Sequence, residues 1–204
     1  MKQLPQRSWL LAGLLLAGGC SRPLEEGPYR AYLQDPDHGL TQTQTIGAMM
    51  VSCAYRPLDL LVAQELASQE TDSPQIVDSL RRSYAGKTYF ALALSQNDTE
   101  IENQFVTNPT AFTQALAYLS TGIAQDVYLA TPAPQADSVV ALTALYPRQY
   151  GTTGRSTVLL LFDTHHLDLS RGFTLTYHDT HFQLGTLCFP FKATDLDRLP
   201  AMRF

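Results

Sequence analysis

The stretch STVLLLFDTHHLDLSRGFTLTYHDTHFQLGTLCFPF, residues 156–191, decides the fold. Three apolar runs within it, 157–163, 173–178 and 182–191, are rich in Val, Leu, Phe, Thr and Tyr and read as strands. The connectors between them, HHLDLSRG and DT, are polar and carry turn residues. Working backwards, GTTG precedes residue 156, and the segments 138–146 and 126–131 give two more strands around the Pro-rich connector TPAPQAD. Short strands at a spacing of about ten residues predict an antiparallel sandwich.

Towards the N-terminus the pattern mixes. Residues 42–56 (QTQTIGAMMVSCAYR) predict one strand with Met49, Val51, Cys53 and Tyr55 on one face. Pro57 stops it, and Leu58, Leu61, Val62 and Leu66 then recur at helical spacing, which predicts a helix over 58–68. Ser73 and Pro74 predict the cap and first turn of a second helix, with Ile76, Leu80 and Tyr84 as its apolar stripe and Gly86 at its end. Residues 87–95 alternate as a strand with Phe90, Leu92 and Leu94 on one face. Asn108-Pro109 opens a third helix, whose buried face is Phe112, Ala115, Leu116, Leu119 and Ile123. The expectation is an α+β fold: an antiparallel β-sandwich of about seven strands with helical insertions at 58–85 and 108–124. Segment 156–191 also resembles the last strands of immunoglobulin-like domains in exported bacterial lipoproteins. There, a strand ending in apolar-Phe-Asp leads to F-x-L-x-Y and a closing strand. That resemblance implies a sandwich and says nothing of activity.

The first twenty residues carry an address. Lys2 and Arg7 form a charged start, and residues 8–19 (SWLLAGLLLAGG) an apolar stretch too short to span a bilayer. Leu16-Ala17-Gly18-Gly19-Cys20 resembles the lipobox of bacterial lipoproteins, with Ala17 where that family prefers Leu. The resemblance implies that Cys20 is lipidated, that residues 1–19 are removed, and that acyl chains anchor the protein to a membrane. By enterobacterial sorting, Ser21 rather than Asp after the cysteine implies the outer membrane. The Pro-, Gly- and charge-rich residues 20–40 read as a tether with one helical turn near 29–34, leaving 41–204 as a single globular domain.

The whole chain holds 14 basic and 19 acidic residues, for a net charge of −5. Loss of Lys2 and Arg7 with the signal would leave 12 basic residues and a net −7. An acidic chain without a basic cluster argues against nucleic acid as a partner, and its acyl chains rather than its charge would hold it to an anionic membrane. At 45% apolar residues there is enough hydrophobic material for one core.

Candidate chemistry lies in two places. Cys53 and Cys188 form an even pair in an exported chain, so they either bridge or stay as separate buried thiols. Four of the five histidines fall between 165 and 181: His165, His166, His178 and His181, beside Asp163, Asp168 and Asp179. Imidazole with carboxylate suits Zn²⁺ or Cu²⁺, while the alternative reading is ordinary polar turn residues. The carboxylate pair Glu100/Glu102 reads as a solvated loop. The GKT triplet at 86–88 follows a helix and lacks the earlier glycine of a phosphate loop, so it is set aside. Two functions follow. One is a non-catalytic envelope lipoprotein that binds a protein or glycan partner or supports an assembly, with no cofactor beyond its covalent lipid. The other is a metal-binding or hydrolytic envelope protein that uses the histidine-rich turns.

Overall fold

The computed structural model describes residues 22–68, 73–132, 134 and 136–204. Residues 1–19, expected to be a signal segment, and the expected lipidation site Cys20 lie outside the described residues. Among those described, the chain is an α+β fold with two antiparallel sheets and five helices, none of them long and apolar enough to cross a membrane.

The first sheet contains β1 (Thr41–Ile46), β2 (Met49–Arg56), β3 (Lys87–Gln96), β4 (Thr99–Glu100), β7 (Thr143–Leu145) and β8 (Ser156–Asp163). Its order is β1-β2-β3-β8-β7, with β4 paired to β3. The second holds β5 (Val127–Ala130), β6 (Ser138–Val140), β9 (Phe173–His178) and β10 (Thr186–Phe191), in the order β10-β9-β5-β6. Strand alternation sends Val51, Cys53, Phe90, Leu92, Leu94, Val158, Leu160 and Phe162 to one side of the first sheet. There they join Leu129, Leu175, Tyr177, Phe189 and Phe191 of the second in one core. Phe90 stands at its centre, with ring centroids 5.7 Å from Phe162, 5.9 Å from Phe173 and 5.3 Å from Phe191. Each fully buried Phe contributes about 1.5–3 kcal/mol.

Two expected strands divide. The run 42–56 is the hairpin of β1 and β2, turned at Gly47, whose φ of +59° suits a residue without Cβ. The run 138–146 changes sheets in mid-course: the Ala141 N–H donates to Val127 of the second sheet, and the next N–H, of Leu142, donates to Leu161 of the first. One segment thereby ties both sheets; the two divisions raise the count from seven to nine strands, and β4, which was not expected, makes ten. The 182–185 portion of the last expected strand is a turn instead. The buried Asp179 carboxylate accepts from the N–H groups of His181, Phe182 and Leu184 there.

The helices α2 (Leu58–Leu66), α3 (Pro74–Tyr84) and α4 (Pro109–Ser120) stand where their periodicity predicts. Asn108 caps α4 by accepting from the Ala111 N–H at 3.2 Å, whereas Ser73 caps α3 by position only. Residues 24–40 are not a tether. They form α1 (Glu26–Gln34), whose Tyr29 and Leu33 are buried against Leu40, Leu60, Ala63 and Met202. Leu24 exchanges backbone hydrogen bonds with the last residues of the chain, to Ala201 O at 2.9 Å and from Arg203 N at 2.8 Å. The folded domain therefore begins near Leu24 rather than at residue 41. A short helix, α5 (Ala193–Asp197), also forms where none was expected.

The proposed bridge is absent: Cys53 and Cys188 are both free. Cys53 points into the core from β2, while β10 buries Leu187, Phe189 and Phe191 and so turns Cys188 outward. Its Sγ lies 3.9 Å from Thr176 Oγ1 on the outer face of the second sheet.

Candidate functional site

The histidine-rich turns separate. After β8, Thr164 is drawn in, its N–H donating to Gly86 O at 2.8 Å and its hydroxyl bonded to Thr88 at 2.9 Å. This turns Asp163, His165 and His166 outward together, with one donor atom from each within 4.8 Å of the others. His165 Nδ1 lies 2.5 Å from Asp163 Oδ1, and that hydrogen bond holds the Asp163 carboxyl below its ordinary range. His178 instead bonds Thr186 at 2.7 Å. His181 stacks on Tyr118, with ring centroids 4.9 Å apart. So the four histidines do not form one set: two of them and Asp163 do. Beside them lies a cleft of about 240 Å³ lined by Thr131, Pro132, Asp137, His166, Asp168 and Arg171. Donors of this type suit Zn²⁺ or Cu²⁺. Yet His165 is 70% and Asp163 49% exposed, so water competes for every donor.

A second site was not expected. Glu100 and Glu102, read as solvated, are 2% and 0% exposed. Burying a carboxylate is costly unless it is hydrogen-bonded, and both are. Glu100 Oε1 accepts from the Gly151 N–H at 2.7 Å. Glu102 accepts through one oxygen from the Tyr146 hydroxyl and through the other from the Ser156 hydroxyl. Ser156 Oγ in turn accepts from the Ile101 N–H at 2.9 Å. Burial first, and the bond to Glu102 second, raise the pKa of the Tyr146 phenol, keeping it a donor.

These bonds clamp the loop 146–155 at both ends and in the middle. On it, the Arg148 guanidinium lies between two rings, 5.1 Å from the Phe112 centroid and 4.6 Å from that of Tyr150. Tyr150 has a φ of +53°, a conformation costly for a residue with Cβ, and is 74% exposed. Gly154 closes the loop against the β3–β4 turn, where a Cβ would come within 2.7 Å of Asp98 O. Beneath it runs a groove of about 280 Å³ lined by Met50, Ser52, Ala93, Ser95, Asp98, Thr153, Gly154 and Arg155. The loop thus offers a cation–aromatic pair at Arg148–Tyr150, and its 153–155 portion borders a polar groove with one acid and one base.

No protein-family model matches the chain, no curated protein matches it, and no solved structure matches its fold. Sequence alone had little chance with this loop. Tyr146 and Ser156 stand 44 and 54 residues from Glu102, and a glutamate in DTEIENQ carries no local mark of burial. The visible hints were the turn residues of PRQYGTTG and Arg148, two positions before Tyr150.

Proposed function

We propose that the chain is an envelope lipoprotein anchored by lipid on Cys20 in the outer membrane. Its folded domain is a non-catalytic module that binds an envelope protein through the loop 146–155. The observation that carries the binding reading is Tyr150: a strained, exposed ring on a loop fixed by two buried carboxylates. Tyrosine and arginine are the side chains that most often anchor protein interfaces, and strain gathers at functional positions. The anchor reading is supported by the lipobox resemblance and by a domain that starts four residues after Cys20. The core shared by the two sheets supports a sandwich. The immunoglobulin likeness rests on β8, β9 and β10, of which β8 lies in one sheet and the others in the second.

The test replaces Tyr150 with a photo-crosslinking residue in the full chain in cells. A discrete protein adduct from position 150, and none from the exposed Val140 on the second sheet, is the expected result. Equal adducts from both positions, or none from 150, refute the binding reading, and a heterogeneous glycan adduct moves the partner to a polysaccharide. For the anchor, Cys20→Ser should move the protein from the membrane to the soluble fraction.

A second reading, metal binding, is favoured by the convergence of Asp163, His165 and His166. Zinc should raise the melting temperature of the chain, and His165→Ala with His166→Ala should abolish the rise. An unchanged melting temperature at millimolar zinc sinks it.

A further inference from the structure

The start of the folded domain limits how far it can stand from a membrane. From Cys20 to Leu24 the chain takes four residue steps, at most about 14 Å when fully extended. The headgroup layer of one leaflet takes up about 5–7 Å of that length. What remains is less than the ~10–12 Å diameter of one helix. A free tether of twenty residues would instead reach on the order of 25 Å on average.

Leu24 also fixes which end is held. It pairs with Met202, which packs on Tyr29, Leu33 and Leu40. Leu40 O accepts from the Tyr55 N–H at 2.8 Å, so this end coincides with the start of β1 and the finish of β2. Both strands run away from it to the turn at Gly47 and Ala48. Eight residues of β2 cover about 25 Å. At that far end Met49 is paired with Gln96, and the Asn97 N–H donates to Ala48 O at 3.3 Å. Ser156 lies beside Leu94 there, and Glu100 holds Gly151. The loop 146–155 is therefore at the opposite end of the strands from Leu24.

The held end exposes cations and an aromatic ring among acids such as Glu25 and Glu26, so the short tether rather than net charge sets its seat. Arg22 lies within the Cys20–Leu24 stretch, Arg203 is exposed in an ion pair with Glu25 at 3.0 Å, and Phe204 is 39% exposed beneath the Arg81 guanidinium. Cation and aromatic side chains are the ones that favour the interface.

We infer that the lipidated chain sits end-on against the membrane headgroups through its Leu24–Met202 end, and that this seat holds the Arg148–Tyr150 loop on the side facing away from the bilayer. The inference rests on the anchor reading above. A partner of that loop would approach from the compartment the membrane faces, without crossing the headgroups.

The experiment uses the full lipidated chain carrying Cys188→Ser, which removes the exposed thiol and leaves the buried Cys53 unreactive. A fluorophore is placed through Ala201→Cys or Ala48→Cys, both exposed positions, and the protein is reconstituted into vesicles with spin-labelled headgroups. Quenching should be severalfold stronger at 201 than at 48. Twenty Gly/Ser residues inserted between Ser21 and Arg22 should release the quenching at 201. Equal quenching at both positions, or quenching at 201 that survives the insertion, overturns the seat. Flotation and the mass of the N-terminal peptide are read on the same sample. An unmodified Cys20 refutes the anchor reading and the seat with it, while a lipidated, floating chain with equal quenching refutes the seat alone.

Discussion

Ser156→Ala is the sharpest test of the clamp beneath the loop 146–155. Ser156 is fully buried, donates to the Glu102 carboxylate and accepts from the Ile101 N–H. The substitution leaves one carboxylate oxygen and one backbone N–H, both enclosed, without their partner. Each such group costs about 1–3 kcal/mol, and the cavity left by one hydroxyl adds little, so the sum is about 3 kcal/mol. For a chain of this size each kcal/mol moves the melting temperature by about 2–4 °C, which gives a fall of about 6–12 °C. Tyr146→Phe removes one donor from the same carboxylate but leaves no backbone N–H unpaired, so it should cost less, about 1–2 kcal/mol. The assay is thermal unfolding of residues 20–204 carrying Cys20→Ser, followed by circular dichroism. A fall under about 2 °C for Ser156→Ala, or a larger fall for Tyr146→Phe, would mean that Glu102 is not an enclosed carboxylate held by these hydroxyls, and the account of the loop would fail with it.

In the native chain carrying Cys20→Ser, one thiol should react rapidly with a disulfide reagent: Cys188, which is exposed. Cys53, whose thiol pKa is raised by full burial, should react only on unfolding, and two slow thiols would contradict the outward turn of Cys188. Seven of the ten tyrosines have raised pKa values. Burial is the leading cause at six, and at Tyr84, pushed up to about 12, the leading cause is its hydrogen bond to Glu65. A folded pKa above the unfolded value of about 10 means the native state holds protons that the unfolded state has lost, so stability should be steady below about pH 9 and fall as pH rises from there. Urea midpoints between pH 7 and 11 would check this, and a flat profile would contradict it. Gly154→Ala should cost about 1–3 kcal/mol, since it needs both a strained φ of +65° and room beside Asp98 O. Protease cleavage within 146–155 should become faster, and unchanged cleavage would show that the close approach is unimportant.

Periodicity read well wherever a segment buries one face against a single neighbour. β3, β8, β9 and the helices α2, α3 and α4 were legible for that reason: Phe90, Leu92 and Leu94 alternate, and Ala115 and Leu119 recur at helical spacing. The misses occur where the partner is distant. Tyr29 and Leu33 look like stray apolar residues in a charged stretch until Met202, at the other end of the chain, completes their pocket. The run 138–146 looks like one strand because its apolar character is nearly continuous, but Ala141 and Leu142 bond different sheets. The histidines cluster in sequence, yet His178 and His181 end a strand that faces another set of neighbours. Glu100 and Glu102 are the same failure in polar form, because the backbone N–H and the hydroxyls that make their burial tolerable come from a segment more than forty residues away.

The buried acids also bear on why the loop has this shape. A core filled with apolar residues at positions 100 and 102 would be at least as stable as one holding two carboxylates, since desolvation offsets much of what their hydrogen bonds contribute. What an apolar filling would not do is direct a backbone N–H at Gly151, a phenol at 146 and a hydroxyl at 156 to fixed points. Three fixed points divide the loop into two spans of about five residues each, short enough that little of the ~1–2 kcal/mol per residue of backbone entropy remains to be lost later. Binding a partner would then cost mainly the ordering of exposed side chains such as Tyr150, whose ring already packs beside Arg148. Preorganisation of this kind raises affinity without adding contact area. It matters most for a small loop such as this one, which cannot bury much surface against a partner and so depends on being in place before the partner arrives.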